Sequence, residues 1–275
     1  MKYSSCITNP SIIDLPFSKI LQAFVDAGFD AVDIPGDPKR FPVKMIEKEM
    51  TSFSDRIKIG EITAAMNPSL DLIHPSESVR TKAIEYVKYC IDAAAQLGSF
   101  THFCFLSFPE NLEKNPRERL ESLAIGSIKK MAGYAEKVDV RLLIEPLFKG
   151  DVSLINRCEQ AVSIYSRALG MNDEEFIKGK HKFGLLQDLF HMHNEEPNFM
   201  ETLKKYNSIT YHVHVADSPR GLDFTRSDSK FVSEAIKELK RLNYPHLLSF
   251  ESFDPKFDLE SLSASLKTLK SFESL

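Results

Sequence analysis

The chain contains no tryptophan, and its four cysteines, Cys6, Cys90, Cys104 and Cys158, form no CxxC pair. Each cysteine sits in an apolar stretch, where a free thiol behaves as a small core residue, so the expectation is reduced thiols in a cytosolic protein. Glycine is scarce, at 11 of 275 residues, and no glycine-rich phosphate turn follows any early strand. That absence disfavours an open, doubly wound nucleotide-binding sheet. No apolar run approaches the ~18 residues that span a bilayer, and the N-terminal MKYSSCITNPSIIDLPF lacks the apolar core of a signal peptide. The chain is expected to be soluble, cytoplasmic and away from membranes. An excess of positive charge is missing too: 35 Lys and Arg against 39 Asp and Glu leave a net charge of −4. Such a chain has no overall field to attract nucleic acid.

What is present is an ordinary globular composition, 43% hydrophobic and 27% charged. A chain of this length can bury roughly 70–75% of its unfolded surface. It is also the length at which an eightfold (β/α)8 TIM barrel closes as one unit, so residues 1–275 are read as a single α/β domain. Strand candidates alternate with amphipathic segments, the pattern of a parallel sheet with outer helices. They begin at Tyr3–Ile7, Ala31–Ile34, Ile57–Ile62 and Phe103–Leu106, and continue at Val140–Glu145, Phe183–Asp188, Tyr211–Val215 and Leu247–Glu251. The clearest helix runs from about Ser78 to Leu97, with Val79, Ala83, Ile84, Val87, Ile91, Ala94 and Ala95 three and four apart and Gly98 as its stop. Gly28 ends the first helix in the same way, and the last spans about Leu259 to Phe272. No linker, low-complexity tract or repeat divides the chain.

In such a barrel the active site lies at the C-terminal ends of the strands. Four late strands carry a possible metal ligand there: Glu145, Asp188, His214 and Glu251, separated by 43, 26 and 37 residues, each consistent with one β/α unit. One carboxylate at a strand end is usually a solvated or helix-capping residue. Four in succession, each after an apolar run, point to a shared ion. Three carboxylates and an imidazole suit one Mn²⁺ or Mg²⁺, with Co²⁺ or Zn²⁺ tolerated. No organic cofactor is expected.

Beyond the ligand candidates, Ile144-Glu145-Pro146-Leu147, the spacing from Asp188 to His191, His212-Val213-His214 followed by Asp217 and Arg220, and Phe250-Glu251 form a recognisable set. With Ala27 to Ile34 and the stretch from Ala64 to Gly98, they make the chain resemble the xylose isomerase-like sugar isomerases and epimerases, above all the D-tagatose/D-psicose 3-epimerase branch. The resemblance covers nearly the whole chain. It implies that Glu145, Asp188, His214 and Glu251 bind the metal, that Glu145 and Glu251 also act as acid and base, and that His191 and Arg220 hold substrate oxygens. The partner is then a small sugar or polyol, and a homodimer or homotetramer matches the family's habit. The chemistry has its own logic, because a proton beside a carbonyl is too weakly acidic for a free carboxylate to remove. A chelating ion stabilises the developing enediolate, and two glutamates on opposite faces pass the proton across. Return to the same carbon gives epimerisation, and return to its neighbour gives aldose–ketose isomerisation.

Several positions depart from that family. Phe148-Lys149-Gly150-Asp151 replaces an Asn-Arg-aromatic-Glu run, leaving Asp151 as a shorter supporting acid toward the substrate. Gly221 to Arg226 replaces a Pro-Gly-x-Gly turn, Asp33 stands where Glu is commoner, and the segment from His102 to Phe108 lacks the usual glycines. His212, one step deeper than His214, is expected to support the site or the core. His193 is expected in a solvated loop, and His74, His102, His181 and His246 have no identifiable partner. Phe105, Phe108 and Phe148 are candidates to wall the pocket. The absence of a phosphate cradle favours an unphosphorylated substrate. Competing readings on the same barrel are an inosose-type dehydratase, an endonuclease IV-like AP endonuclease and a non-catalytic carbohydrate-binding barrel. The endonuclease is disfavoured because Thr63-Ala64-Ala65-Met66 offers no histidine for a metal cluster.

Overall fold

Apolar strands joined by amphipathic helices can bury both faces only in a parallel sheet with the helices outside. Here that sheet closes on itself, in a computed structural model that describes residues 1–151, 153–179, 181–254 and 258–274. The strands are β1 (Lys2–Cys6), β2 (Ala31–Pro35), β3 (Lys58–Thr63), β4 (Phe100–Phe103), β5 (Leu142–Ile144), β6 (Phe183–Asp188), β7 (Thr210–Val215) and β8 (Leu247–Phe250). They pair in sequence order, all parallel, and β8 returns to β1 to complete a (β/α)8 barrel. Among the described residues, no helix is long and apolar enough to cross a membrane.

The outer helices follow the sequence periodicity closely. The helix Glu77–Leu97 buries Ala83, Ile84, Val87, Ile91 and Ala94, joined by Cys90 and Ala93, whereas Ala95 faces outward. It stops where Gly98 turns left-handed at φ 67°, and Gly28 ends the helix Phe17–Ala27 at φ 89°. Glycine takes these angles without the steric cost a Cβ imposes. The last α-helix is shorter than expected, Leu262–Ser271. All four cysteines are buried and free.

β4 differs from its expected position. Its paired residues are Phe100–Phe103, three positions before Phe103–Leu106, because Thr101 and His102 are polar yet fully part of the ladder. Their polarity reflects what they face. Alternation along each strand turns one set of side chains inward, and here that set includes Ser4, Cys6, Asp33, Glu61, His102, Glu145, Asp188, His212, His214 and Ser249, all buried. A barrel interior of this kind is normally filled by branched aliphatics. In this one, the half nearer the C-terminal strand ends is a polar network.

Burying such groups is costly unless each finds a partner. Asp33 is the hub. Its Oδ2 accepts from His212 Nε2 at 2.9 Å, from Ser4 Oγ at 3.1 Å and from Ser249 Oγ, while Oδ1 accepts the Glu61 backbone N–H at 3.1 Å. Gly60 makes this approach possible, since a Cβ there would lie 2.0 Å from Asp33 Oδ1.

Candidate metal centre

Above that network, strand register sets four ends side by side: Asp188 pairs with His214, and His214 with Ser249, two residues before Glu251. Glu145, Asp188, His214 and Glu251 each present one ligand-type atom, all four within 4.8 Å of one another, and all four residues are buried. From His214 Nδ1 the nearest carboxylate oxygens are Glu251 Oε2 at 3.2 Å, Glu145 Oε1 at 3.6 Å and Asp188 Oδ2 at 3.9 Å. The sequence-derived quartet therefore meets around one point.

Local structure aims each of these atoms. Asp188 caps the helix Leu189–Glu195, its Oδ1 accepting the backbone N–H groups of Phe190 at 2.7 Å and His191 at 3.0 Å, which leaves Oδ2 for the centre. His214 turns Nε2 toward Glu61 Oε1, 3.4 Å away. Its Nδ1 is buried and makes no hydrogen bond, and the same holds for Glu145 Oε1. A buried imidazole nitrogen and a buried carboxylate oxygen, both unpartnered and 3.6 Å apart, fit a cation as their common partner.

The charge balance points the same way. Five buried carboxylates, Asp33, Glu61, Glu145, Asp188 and Glu251, surround this region, and the guanidinium that reaches them is Arg220. It lies 3.0 Å from Asp188 Oδ2 and also bonds Glu251 Oε2. Burial works against an ionised Glu251, but the attraction of His214 and Arg220 is greater and lowers its pKa from 4.5 to about 2. For Glu145 burial is likewise outweighed, here by the adjacent His102 and His214 rings, and the pKa falls well below the usual carboxylate range. Burial also opposes a charged His214, yet Glu251 and its other neighbours raise it well above 6.5. In the absence of an ion, a proton on His214 supplies part of the missing positive charge.

The expected substrate residues flank the quartet. His191 is buried, with Nε2 2.7 Å from Arg220 Nη1 and Nδ1 accepting the Phe148 backbone N–H at 3.1 Å. It stands on a helix rather than in a loop. Asp151 is partly exposed, 3.7 Å from His191 Nδ1, and burial raises its pKa. Arg220 is sandwiched between Phe190 and Phe253, and Phe148 stacks on His191 at 5.6 Å. Of the three pocket candidates, Phe148 thus lies beside the quartet and Phe108 is half exposed, but Phe105 is fully buried against Phe103 and belongs to the core.

Four histidine expectations need correction. His102 has partners on both sides: Nδ1 lies 3.0 Å from Glu61 Oε2 and Nε2 3.3 Å from Glu145 Oε2. Burial disfavours its charged form, but the flanking carboxylates prevail and raise its pKa from 6.5 to about 10, so both ring nitrogens can donate. His181 contacts the Phe176 carbonyl at 2.7 Å and stacks on that ring, and His74 accepts the Ser76 N–H at 3.0 Å. His193 is exposed, on the helix Leu189–Glu195, and stacks on Phe231 at 4.1 Å. His212, fully buried on Asp33, has the supporting place foreseen for it. Glu61 was not singled out from the sequence. A carboxylate near the C-terminal end of the strand candidate Ile57 to Ile62 is the available signal.

Comparison with known proteins places this geometry. The model for xylose isomerase-like TIM barrels matches residues 21–272. A probable ketose 3-epimerase from Synechocystis sp. is 23% identical over 235 residues, 82% of this chain and 75% of that protein. The D-psicose 3-epimerase of Clostridium cellulolyticum H10, solved with D-tagatose, superposes with a TM-score of 0.80 at 16% identity, covering 100% of this chain and 98% of that one. A Brucella melitensis structure described as an AP endonuclease, family 2, superposes with a TM-score of 0.75 at 18% identity over 98% of this chain and 99% of its own. Likeness in fold alone therefore does not choose a reaction. With the match extending over nearly its whole length, the chain belongs to the xylose isomerase-like TIM barrel family.

Proposed function

We propose that this protein is a divalent-metal-dependent sugar epimerase, acting on an unphosphorylated ketose by moving the proton on a carbon beside the carbonyl. The observation that carries this reading is the convergence of Glu145, Asp188, His214 and Glu251 within 4.8 Å, with two of their atoms buried and unpartnered. The oxygen-rich donor set suits Mn²⁺ or Mg²⁺ and accommodates Co²⁺ or Zn²⁺. A divalent ion bound there supplies Lewis-acid stabilisation of the charge that develops on the substrate's oxygens as the proton leaves.

The chain's own groups do the rest. Glu145 and Glu251 approach His214 Nδ1 from separate strands, and their lowered pKa values keep both ionised at neutral pH, the state a base needs. One carboxylate takes the proton from one face, and the other, after taking up a proton from solvent, delivers it to the opposite face, which inverts the carbon and leaves the first to release its proton to solvent. His191 and Arg220 hold the substrate. Both nitrogens of His191 face N–H donors, yet a neutral imidazole has one lone pair. A substrate hydroxyl between His191 and Arg220 accepts from both and removes that conflict. Asp151 lies beside them as a further polar contact.

The ketose 3-epimerase name of the Synechocystis relative supports epimerisation over aldose–ketose isomerisation. Phosphodiester cleavage finds less support: the chain's net charge is −4, and among the described residues Arg220 is the guanidinium that contacts Asp188 and Glu251. The test is exchange in D₂O. Protein supplied with Mn²⁺ is expected to place deuterium on the carbon beside the carbonyl of fructose, tagatose or psicose, read by proton NMR. Absence of exchange into every ketose tried, phosphorylated ones included, contradicts the reading.

A further inference from the structure

Beneath the metal centre lies a second set of contacts that none of the catalytic steps uses. Glu61 and His102 stand on neighbouring strands, and each is in contact with the other and with one member of the quartet. His102 Nδ1 bonds Glu61 at 3.1 and 3.0 Å, and its Nε2 lies 3.3 Å from Glu145 Oε2. Glu61 Oε1 in turn lies 3.4 Å from His214 Nε2. The result is a closed chain of side chains: Glu145, His102, Glu61, His214, and back to Glu145 through the 3.6 Å gap between Oε1 and Nδ1.

We infer that Glu61 and His102 form a bracket that holds Glu145 and His214 in ligating posture, and so act as positioning residues for the ion. The inference rests on the metal-centre reading above. Its physical content is which atom each ligand presents. His102 occupies Glu145 Oε2, and the other oxygen, Oε1, is the one left without a partner. Glu61 faces His214 Nε2, which leaves Nδ1 as the ring atom turned toward the carboxylates and directs the ring hydrogen to Nε2 when an ion holds Nδ1. Without the bracket, each residue has two nearly equivalent donor atoms and a freer rotamer.

The bracket is itself braced. Thr63 Oγ1 donates to Glu61 Oε1 at 2.8 Å, the Glu61 backbone is tied to Asp33, and Asp33 is held by His212, Ser4 and Ser249. Glu61, Asp33, His212 and His214 are fully buried, and His102 is 3% exposed. Hydrogen bonds among charged groups in such a dry interior are stiff, and breaking one leaves its partner unpaired. Partners of this kind are worth about 10–100-fold in metal affinity when lost.

There is one competing use for the same atoms. Cys6, Asp33, Glu61 and His214 also bring ligand-type atoms within 4.8 Å of one another. Asp33, however, has both oxygens taken by protein donors, Oδ2 by His212, Ser4 and Ser249 and Oδ1 by the Glu61 backbone N–H. Glu61 is therefore a holder of His214 rather than a ligand to a second ion.

Mn²⁺ titration followed by EPR tests this, with circular dichroism to verify folding. Wild type is expected to bind one Mn²⁺ per chain. His102→Leu and the isosteric Glu61→Gln are each expected to bind it about 10–100-fold more weakly, with an altered EPR line shape, and His102→Gln, which keeps a donor, falls in between. A merely structural role would lower thermal stability and leave the folded variants' affinity unchanged. Wild-type affinity in folded Glu61→Gln or His102→Leu overturns the bracket and spares the metal-centre reading. Two Mn²⁺ per chain, with the second lost in Glu61→Gln, overturns it in favour of direct ligation. No Mn²⁺ binding by wild type removes the centre itself, a separate failure.

Discussion

Glu145→Gln and Glu251→Gln are each expected to lower kcat for ketose epimerisation by about 10³-fold or more, near the upper end of what positioned acid–base catalysis contributes. Glutamine preserves the volume and leaves the fold intact, but its amide neither accepts the substrate proton nor carries the charge of a ligand. Both losses act on the same residue, and such effects are strongly non-additive. The double variant is thus expected to be little worse than either single one. Single-turnover deuterium exchange, combined with measured metal content, separates the two contributions. Asp151→Asn serves as the contrast: partly exposed and 3.7 Å from His191, it is expected to alter KM more than kcat. If either glutamine variant turns over at the wild-type rate, the acid–base assignment is wrong.

Removal of the metal is expected to have an effect of the same order, abolishing exchange while leaving the protein folded. The structure explains why folding survives. Arg220 lies against Asp188 and Glu251, and raised proton affinities at His102 and His214 supply further positive charge among the buried carboxylates. The chelated protein therefore keeps a compensated interior but has nothing to stabilise the charge that develops on the substrate. Resupply of Mn²⁺ is expected to restore exchange and to raise the unfolding free energy by about 2.7 kcal/mol at an ion concentration 100 times Kd. Full activity after exhaustive chelation, with metal content checked by mass spectrometry, contradicts the role given to the ion.

Much of this architecture was open to reading before any coordinates. Alternating apolar and amphipathic segments mark seven of the eight strands, and the spacing of Glu145, Asp188, His214 and Glu251 marks the quartet, because one strand end per β/α unit must meet the others at the barrel mouth. β4 departs from its most apolar run, Phe103 to Leu106, because the ladder uses the polar Thr101 and His102. The same cause hid the bracket. Glu61 and His102 are 41 residues apart, and neither carries a local motif. Their meaning comes from closure, which sets adjacent strands in a register that sequence spacing does not encode. Phe105 departs from the expected pocket wall for a related reason. An aromatic near a strand end faces either the mouth or the helices, and here it packs on Phe103 in the core.

The most direct test of the account is anomalous diffraction from crystals soaked in Mn²⁺. It predicts one peak per chain within about 2.0–2.6 Å of Glu145 Oε1, Asp188 Oδ2, His214 Nδ1 and Glu251 Oε2, with Arg220 moved off Glu251. A peak elsewhere, such as among Cys6, Asp33 and Glu61, or no peak at saturating Mn²⁺, contradicts it.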